Sequence, residues 1–337
     1  MNKHILFILL AVVLALSGCT FTEESGQTKY TATFLDVFDT VTTVVGWDRS
    51  EEEFQTKAQT VHDILVQYHQ LFDIYSDYEG VNNLKTVNDN AGIAPVEVDP
   101  IIIELLLDCR EYYDLTGGKV NAAMGSVLRL WHDAREAAAA ELPQESALRD
   151  AALHCSWDNV IIDEAAGTVY LSDPDQLLDV GAVAKGWAAQ KMSESAPPDL
   201  LISVGGNVCA TGPKTLDGAA WVVGVNDPED GSEYLHTLNI TGGSVVTSGD
   251  YQRYYVVDGK VYHHIIDPVT LFPSEYWRSV TVICADSGLA DALSTALFLL
   301  PQQEGQALLT QCGAVAMWVD AESNFYYSPG FENYIRT

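Results

Sequence analysis

Positive charge is the scarcest property of this chain. Lysine and arginine total 17 against 47 aspartates and glutamates, a formal net charge of −30. Such a surface repels nucleic acid and acidic lipid headgroups, which excludes partners held by simple attraction to phosphate backbones. An anionic ligand would therefore need local help, from a lysine, an arginine or a metal. Cysteine is sparse too: six residues, with no CxxC pair and no Cys/His run at zinc spacing. Setting Cys19 aside leaves Cys109, Cys155, Cys209, Cys284 and Cys312, an odd number. One disulfide is compatible with them, and spacing does not choose its pair. No segment beyond the first residues is apolar enough to cross a membrane.

The N-terminus is distinct from the rest. Lys3 and His4 precede a short apolar run, Ile5 to Leu16, which ends in Leu16-Ser17-Gly18-Cys19. The run is too short to span a bilayer comfortably and too apolar for a soluble surface, so residues 1–18 read as an export signal. Small residues before a cysteine form the lipobox pattern, in which Cys19 receives diacylglycerol and becomes the new N-terminus. The expectation is a lipoprotein anchored to the cell membrane on its extracytoplasmic side, with residues 19–29 as a polar tether.

Residues 30–337 are expected to form one domain or two closely joined lobes. Tyr30 to Trp47 alternates and is rich in Thr and Val, predicting a strand pair or one long bent strand. Ser50 and Glu53 predict a capping box for a helix to about Tyr75. Ser76 to Val98 reads as loop. Asp99-Pro100 starts a helix that stops at Gly117-Gly118. A turn and short helix over Val120 to Trp131, an Ala/Glu-rich insert over 134–141 and a helix to about His154 follow. From Val160 the chain turns to short strands, interrupted by one helix after Gly181. A strand over Ser279 to Ala285, helices over 287–300 and 301–311, and a strand over Ala314 to Val319 complete it. Strands and helices mixed without regular alternation predict the α+β class.

Four segments carry candidate chemistry. Val256 to Val261 forms two extended runs joined at Asp258-Gly259, which predicts a type I′ hairpin delivering Thr247, Ser248 and Asp250 near one end and His264 and Asp267 from the returning strand. Asp179-Val180-Gly181-Ala182-Val183-Ala184-Lys185-Gly186 leaves a strand and enters a helix. Free N–H groups at the helix start, with Lys185, favour an anion, although the pattern is neither a P-loop nor a Rossmann fingerprint. Leu201 to Val204 runs into Gly205-Gly206, either a plain turn or a point of close approach to a ligand. Asp291 and Thr295 lie four apart on a predicted helix and face the same way, an oxygen-donor pair suited to Mg²⁺.

In this order, LDVGAVAKGWA, LISVGGNVCATG, VVTSGDYQRYY, HHIIDP and VTVICADSGLADALSTALFLL resemble the ApbE-like family of FAD:protein FMN transferases. The resemblance spans essentially residues 30–337. It implies the family's α+β fold and a reaction that uses FAD and Mg²⁺ to attach FMN to a Thr or Ser of an extracytoplasmic redox partner, releasing AMP. It further implies that Tyr78, Asn121, Ala122, Ala123, Asp179, Lys185 and Ile265 contact FAD. The Ala182 carbonyl, Asp291 and Thr295 would hold Mg²⁺, and His264 would be catalytic or positioning. Two alternatives stay open: hydrolysis of FAD to FMN and AMP, and flavin binding without turnover. The chain departs from the family pattern at Val120-Asn121-Ala122-Ala123-Met124-Gly125, where Phe-Asp-x-Thr-x-Gly is usual, and at Leu271, where glycine is usual.

Overall fold

The computed structural model describes residues 26–337 apart from 138, 140, 216, 217 and 232. The export run, Cys19 and most of the tether lie outside the described residues. Eight helices are described: α1 Glu51–Phe72, α2 Leu84–Asp89, α3 Pro100–Leu115, α4 Gly125–Glu136, α5 Glu145–Ala152, α6 Ala184–Ser195, α7 Ser287–Phe298 and α8 Gln302–Cys312.

The main sheet has eight strands, every neighbouring pair antiparallel, and their spatial order is their order in the chain. They are Thr28–Val37, Thr40–Asp48, Leu200–Val204, Asn207–Ala210, Gly243–Gly249, Ser279–Cys284, Val315–Val319 and Phe325–Tyr327. Each long excursion from this meander carries a layer of the molecule. Everything from α1 to α6 is inserted between the second and third strands.

Alternation along the strands divides the interior in two. Val246, Val282 and Trp318 point to a core shared with Phe54 and Leu65 of α1, Leu105 and Leu106 of α3, Trp187 of α6 and Leu293 of α7. Val245, Ile283, Met317 and Val319 point the other way, under a hairpin of Trp221–Asn226 and Tyr234–Ile240. α7 is buried on nearly all sides, which makes Asp291, only 4% exposed, the conspicuous polar group of an otherwise apolar helix.

Local chemistry explains the element boundaries. Asp99 accepts the Ile101 N–H at 2.9 Å and Pro100 starts α3. Ser50 accepts the Glu53 N–H at 3.2 Å, so half of the expected capping box forms, without the reciprocal bond. The segment read as loop over Ser76 to Val98 contains α2 and a two-residue strand, Val96–Glu97. Asn83 and Thr86 close a capping box there with a hydroxyl where Glu or Gln is usual. α4 runs on to Glu136, into the stretch read as an insert. All five cysteines in the described residues are free thiols.

Candidate active site

One end of the sheet is built from tight turns. Phe38 and Asp39 (φ 55° and 50°) join the first two strands, and Gly205 and Gly206 (φ 58° and 91°) join the third and fourth. Both are left-handed two-residue turns. A side chain on Gly205 would press Thr40 Oγ1 at 2.7 Å, so the double glycine is both turn and close approach. Phe38 and Asp39 hold the same conformation as L-residues, at a cost of order 1–2 kcal/mol each. Asp258 and Gly259 (φ 50° and 81°) form the expected type I′ turn further along.

The Phe38-Asp39 and Gly205-Gly206 turns border an open cleft of about 1230 Å³, larger than the usual small-molecule site and roomy enough for a dinucleotide and part of a second reactant. Segments far apart in sequence meet there: Asn121, Asp179, Ala182, Lys185, Asp291 and Thr295 all line it, as do His264 and Ile265.

The start of α6 is diverted toward α7. In an uninterrupted helix the Gly186 N–H would donate to the Ala182 carbonyl. Here it donates to Asp291 Oδ2 at 2.8 Å, and no main-chain donor among the described residues reaches the Ala182 oxygen. A carbonyl, a carboxylate and the Thr295 hydroxyl, one helical turn from Asp291, thus face one cleft. This all-oxygen donor set, on a buried carboxylate with no ion pair among the described residues, fits Mg²⁺. Burial pushes the Asp291 carboxyl upward; Lys185, the Gly186 N–H and the Asn207 amide pull against that. Asn207 Nδ2 is buried without a regular hydrogen bond, so it approaches the carboxylate without completing the contact.

Asp179 also lines the cleft, just before α6, its Oδ1 accepting the Gly181 N–H at 2.8 Å. Desolvation raises its carboxyl, opposed by that bond and by His132, Arg253 and Lys185. Lys185 and Arg253 line the cleft without an ion pair among the described residues. In so acidic a chain, two unpaired cations over a helix N-terminus make a site for a polyanion.

His263 and His264 divide their roles by the pleat of the strand. His263 is buried, donating from Nε2 to the Ser274 carbonyl at 2.7 Å and accepting the Ile265 N–H at Nδ1, so it is structural. His264 faces the cleft, and its Nδ1 donates to the Arg253 carbonyl at 3.2 Å. That bond fixes the tautomer and leaves the Nε2 lone pair free. Burial, Lys185, Arg253 and His263 push its pKa down to about 3, well below the ordinary histidine value. Asp267 is held by Lys119 at 2.8 Å, which ties the 120s loop to the His264 segment.

Several other expected residues stand off the cleft wall. Tyr78 does not line the cleft; its hydroxyl donates to Asp73 Oδ2 at 2.8 Å, and Tyr75 takes the place at the wall, stacked on His132 with ring centroids 5.0 Å apart. Ala122 and Ala123 are buried behind the wall, where the Ala122 carbonyl accepts the Asp179 N–H at 2.8 Å. Asp250 lies outside the cleft, 3.7 Å from Arg278 Nε. Tyr75, Phe38, Lys119 and Arg253 went unnoticed in the sequence; the scarcity of positive charge was the one signal that could have marked the latter two.

The departures have local explanations. Asn121 accepts the Ala123 N–H at 2.9 Å and donates to the Cys155 carbonyl at 3.1 Å, a second bond that an aspartate cannot make. Leu271 has φ 64°, the conformation glycine takes most easily. Its side chain packs beside Trp131, and its carbonyl accepts the Trp131 indole N–H at 2.9 Å.

Comparison with known proteins gives the family. The model of the ApbE family matches residues 29–318. A protein of Treponema pallidum named FAD:protein FMN transferase is 33% identical over 86% of this chain and 83% of its own length. A protein of the same name from Klebsiella pneumoniae is 33% identical over 72% of this chain and 77% of its own length. The crystal structure of the ApbE protein from Thermotoga maritima superposes with a TM-score of 0.82 at 27% identity, covering 92% of this chain and all of the other. With five ordered motifs, one cleft and a match over most of its length, the chain belongs to the ApbE family.

Proposed function

We propose that this protein is a Mg²⁺-dependent FAD:protein FMN transferase, tethered outside the cytoplasm by lipid on Cys19, which moves FMN to a Thr or Ser hydroxyl of a redox partner and releases AMP. The observation that carries this reading is the diverted Gly186 N–H. It orients Asp291 and frees the Ala182 carbonyl, in the cleft that Thr295, Lys185 and His264 also line. The names of the relatives supply the reaction.

The residues divide the work. Lys185, Arg253 and the α6 N-terminus bind the diphosphate, and Ile265 and Tyr75 offer apolar and aromatic surface to the rings. Asp291, Thr295 and the Ala182 carbonyl hold the metal, which when bound supplies charge neutralisation at the phosphoryl oxygens. The acceptor hydroxyl attacks the FMN-side phosphorus, the anhydride bond to AMP breaks, and the hydroxyl proton goes to His264 Nε2. Lys185 and Arg253 help to depress the His264 pKa in the free protein. A bound diphosphate offsets their charge, which raises the basicity of His264 once substrate is in place.

Mass spectrometry of a candidate acceptor after incubation with enzyme, FAD and Mg²⁺ tests the assignment. Covalent FMN on a Thr or Ser, with AMP released only when acceptor is present, is the expected result. AMP without acceptor would make the protein a FAD pyrophosphatase, and binding without AMP a flavin carrier. Replacing Cys19 with Ser should move the protein from the membrane fraction to the soluble one.

A further inference from the structure

A directed hydrogen-bond chain runs from the end of α1 to the strained turn at the cleft. Asp73 caps α1 and can only accept. Its Oδ2 takes the Tyr78 hydroxyl at 2.8 Å, which leaves the Tyr78 oxygen free to accept from His69 Nε2 at 3.3 Å. With the hydrogen on Nε2, His69 Nδ1 is an acceptor, and it takes the Phe38 N–H at 3.2 Å. Every donor meets an acceptor in one direction only. The last bond lands on Phe38, one of two adjacent non-glycine residues with positive φ, which needs its surroundings to hold it. The other oxygen of Asp73, Oδ1, accepts the N–H groups of Tyr75 at 2.6 Å and Ser76 at 3.2 Å. One carboxylate thus governs two aromatic residues that line the cleft from different segments, Phe38 and Tyr75.

We propose that Asp73, Tyr78 and His69 are positioning residues that set Phe38 and Tyr75 as aromatic walls against a flat ring of the bound dinucleotide. The inference rests on the flavin-nucleotide reading of the cleft. It also gives Tyr78 a role at one remove from the ligand: Tyr78 is absent from the cleft wall, yet its hydroxyl is the middle link. Both ring nitrogens of His69 are engaged in the chain, so His69 shapes the wall through Phe38 although its own ring reaches the cleft. The edge-on approach of the His69 ring to Phe38, with centroids 5.8 Å apart, adds a packing contact to the hydrogen bond.

The full-length protein carrying Tyr78→Phe, His69→Leu or His69→Asn tests this. Binding of FAD is followed without acceptor by quenching of flavin fluorescence, and KM and kcat for FAD are measured with acceptor. Tyr78→Phe, which removes a single oxygen, is expected to weaken FAD binding by roughly three- to tenfold, the scale of one neutral hydrogen bond. KM should rise by a similar factor while kcat changes little, because the chain touches no reacting atom. His69→Leu should do at least as much. His69→Asn, whose amide oxygen can take the place of Nδ1 and keep an acceptor for the Phe38 N–H, should recover part of the loss. Unchanged FAD affinity in both Tyr78→Phe and His69→Leu overturns the proposal, as does a loss confined to thermal stability with KM unmoved. Should His69→Leu fail to fold, Tyr78→Phe decides alone. Failure of the wild-type protein to bind FAD removes the flavin reading and this inference with it, whereas binding indifferent to Tyr78 and His69 removes the relay only.

Discussion

Asp291 Oδ2 accepts the Gly186 N–H at 2.8 Å, joining α7 to the first turn of α6 across 105 residues of chain. The bond is short because Gly186 has no side chain. A Cβ there would collide with Asp291 Cβ and the Ser287 carbonyl, so α6 and α7 meet at backbone distance at the point where the oxygen donors gather.

Gly186→Ala should therefore damage fold and site together. Overpacking at a buried contact with backbone costs about 1–3 kcal/mol, and displacing α6 from α7 breaks the bond that orients Asp291. The expected outcome is a lower melting temperature together with loss of any Mg²⁺-dependent rise in it, measured by calorimetry with and without the metal. Normal stability and a retained Mg²⁺ response would show that the close approach is incidental.

Asp291→Asn separates those two effects. The folded-state pKa of Asp291 is raised by burial. In the metal-free protein its contribution to stability is full below the unfolded value, about 3.9, and is lost as pH rises through the higher folded value. At neutral pH the bare carboxylate is a cost, so metal-free Asp291→Asn should melt at or above the wild-type temperature. A cation binds only the ionised form, so the increment Mg²⁺ adds to the wild-type melting temperature should grow as pH rises through the folded value and be absent in the variant. An equal increment in both proteins would remove Asp291 from the metal site.

Much of this arrangement was legible in the residue order, and the missed parts share a physical reason. Asp99-Pro100, Asp258-Gly259 and the glycine turn at Gly181 are local devices whose chemistry is complete within a few residues, so sequence alone exposes them. Asp291 and Thr295 need only the helical repeat. Tyr75 and Tyr78 lie three apart in an irregular segment, and which of them faces the cleft is settled by the Asx turn of Asp73, not by any periodicity. α2 escaped notice because six residues show little periodicity and its box closes with Thr86. His263 and His264 are neighbours on one strand end, so the phase of the pleat alone assigns one to the core and the other to the cleft. The depressed pKa of His264 depends on Lys185, 79 positions away (264 − 185), as well as on burial.

His264→Gln should lower turnover by about 10²–10⁴, the usual scale for a lost general base, while leaving FAD affinity close to that of the wild type. The pH behaviour provides an independent check. With a folded pKa of about 3 against an unfolded value near 6.5, His264 contributes stability above the unfolded value and loses it as pH falls through the folded one. The wild-type melting temperature should thus fall on acidification from about 6.5 toward 3 more steeply than that of the variant. Equal slopes would mean that His264 titrates normally and is more open to water than its place beside Arg253 indicates.

Asn121→Asp restores the residue usual in the family and should nevertheless harm this protein. Asn121 Oδ1 accepts the Ala123 N–H and an aspartate could do the same, but Nδ2 donates to the Cys155 carbonyl at 3.1 Å. A carboxylate oxygen in that place would face the carbonyl, acceptor against acceptor, and strand a partly buried pair at a cost of about 1–3 kcal/mol. The 120s loop also holds Asp179 through the Ala122 carbonyl, so loosening it should weaken FAD binding as well as lower the melting temperature. Adding Ala123→Thr, which restores the hydroxyl of the family pattern, tests whether the two departures compensate. Recovery in the double variant would mean that they form one substituted unit, and no recovery that the Cys155 bond alone makes Asn121 necessary here.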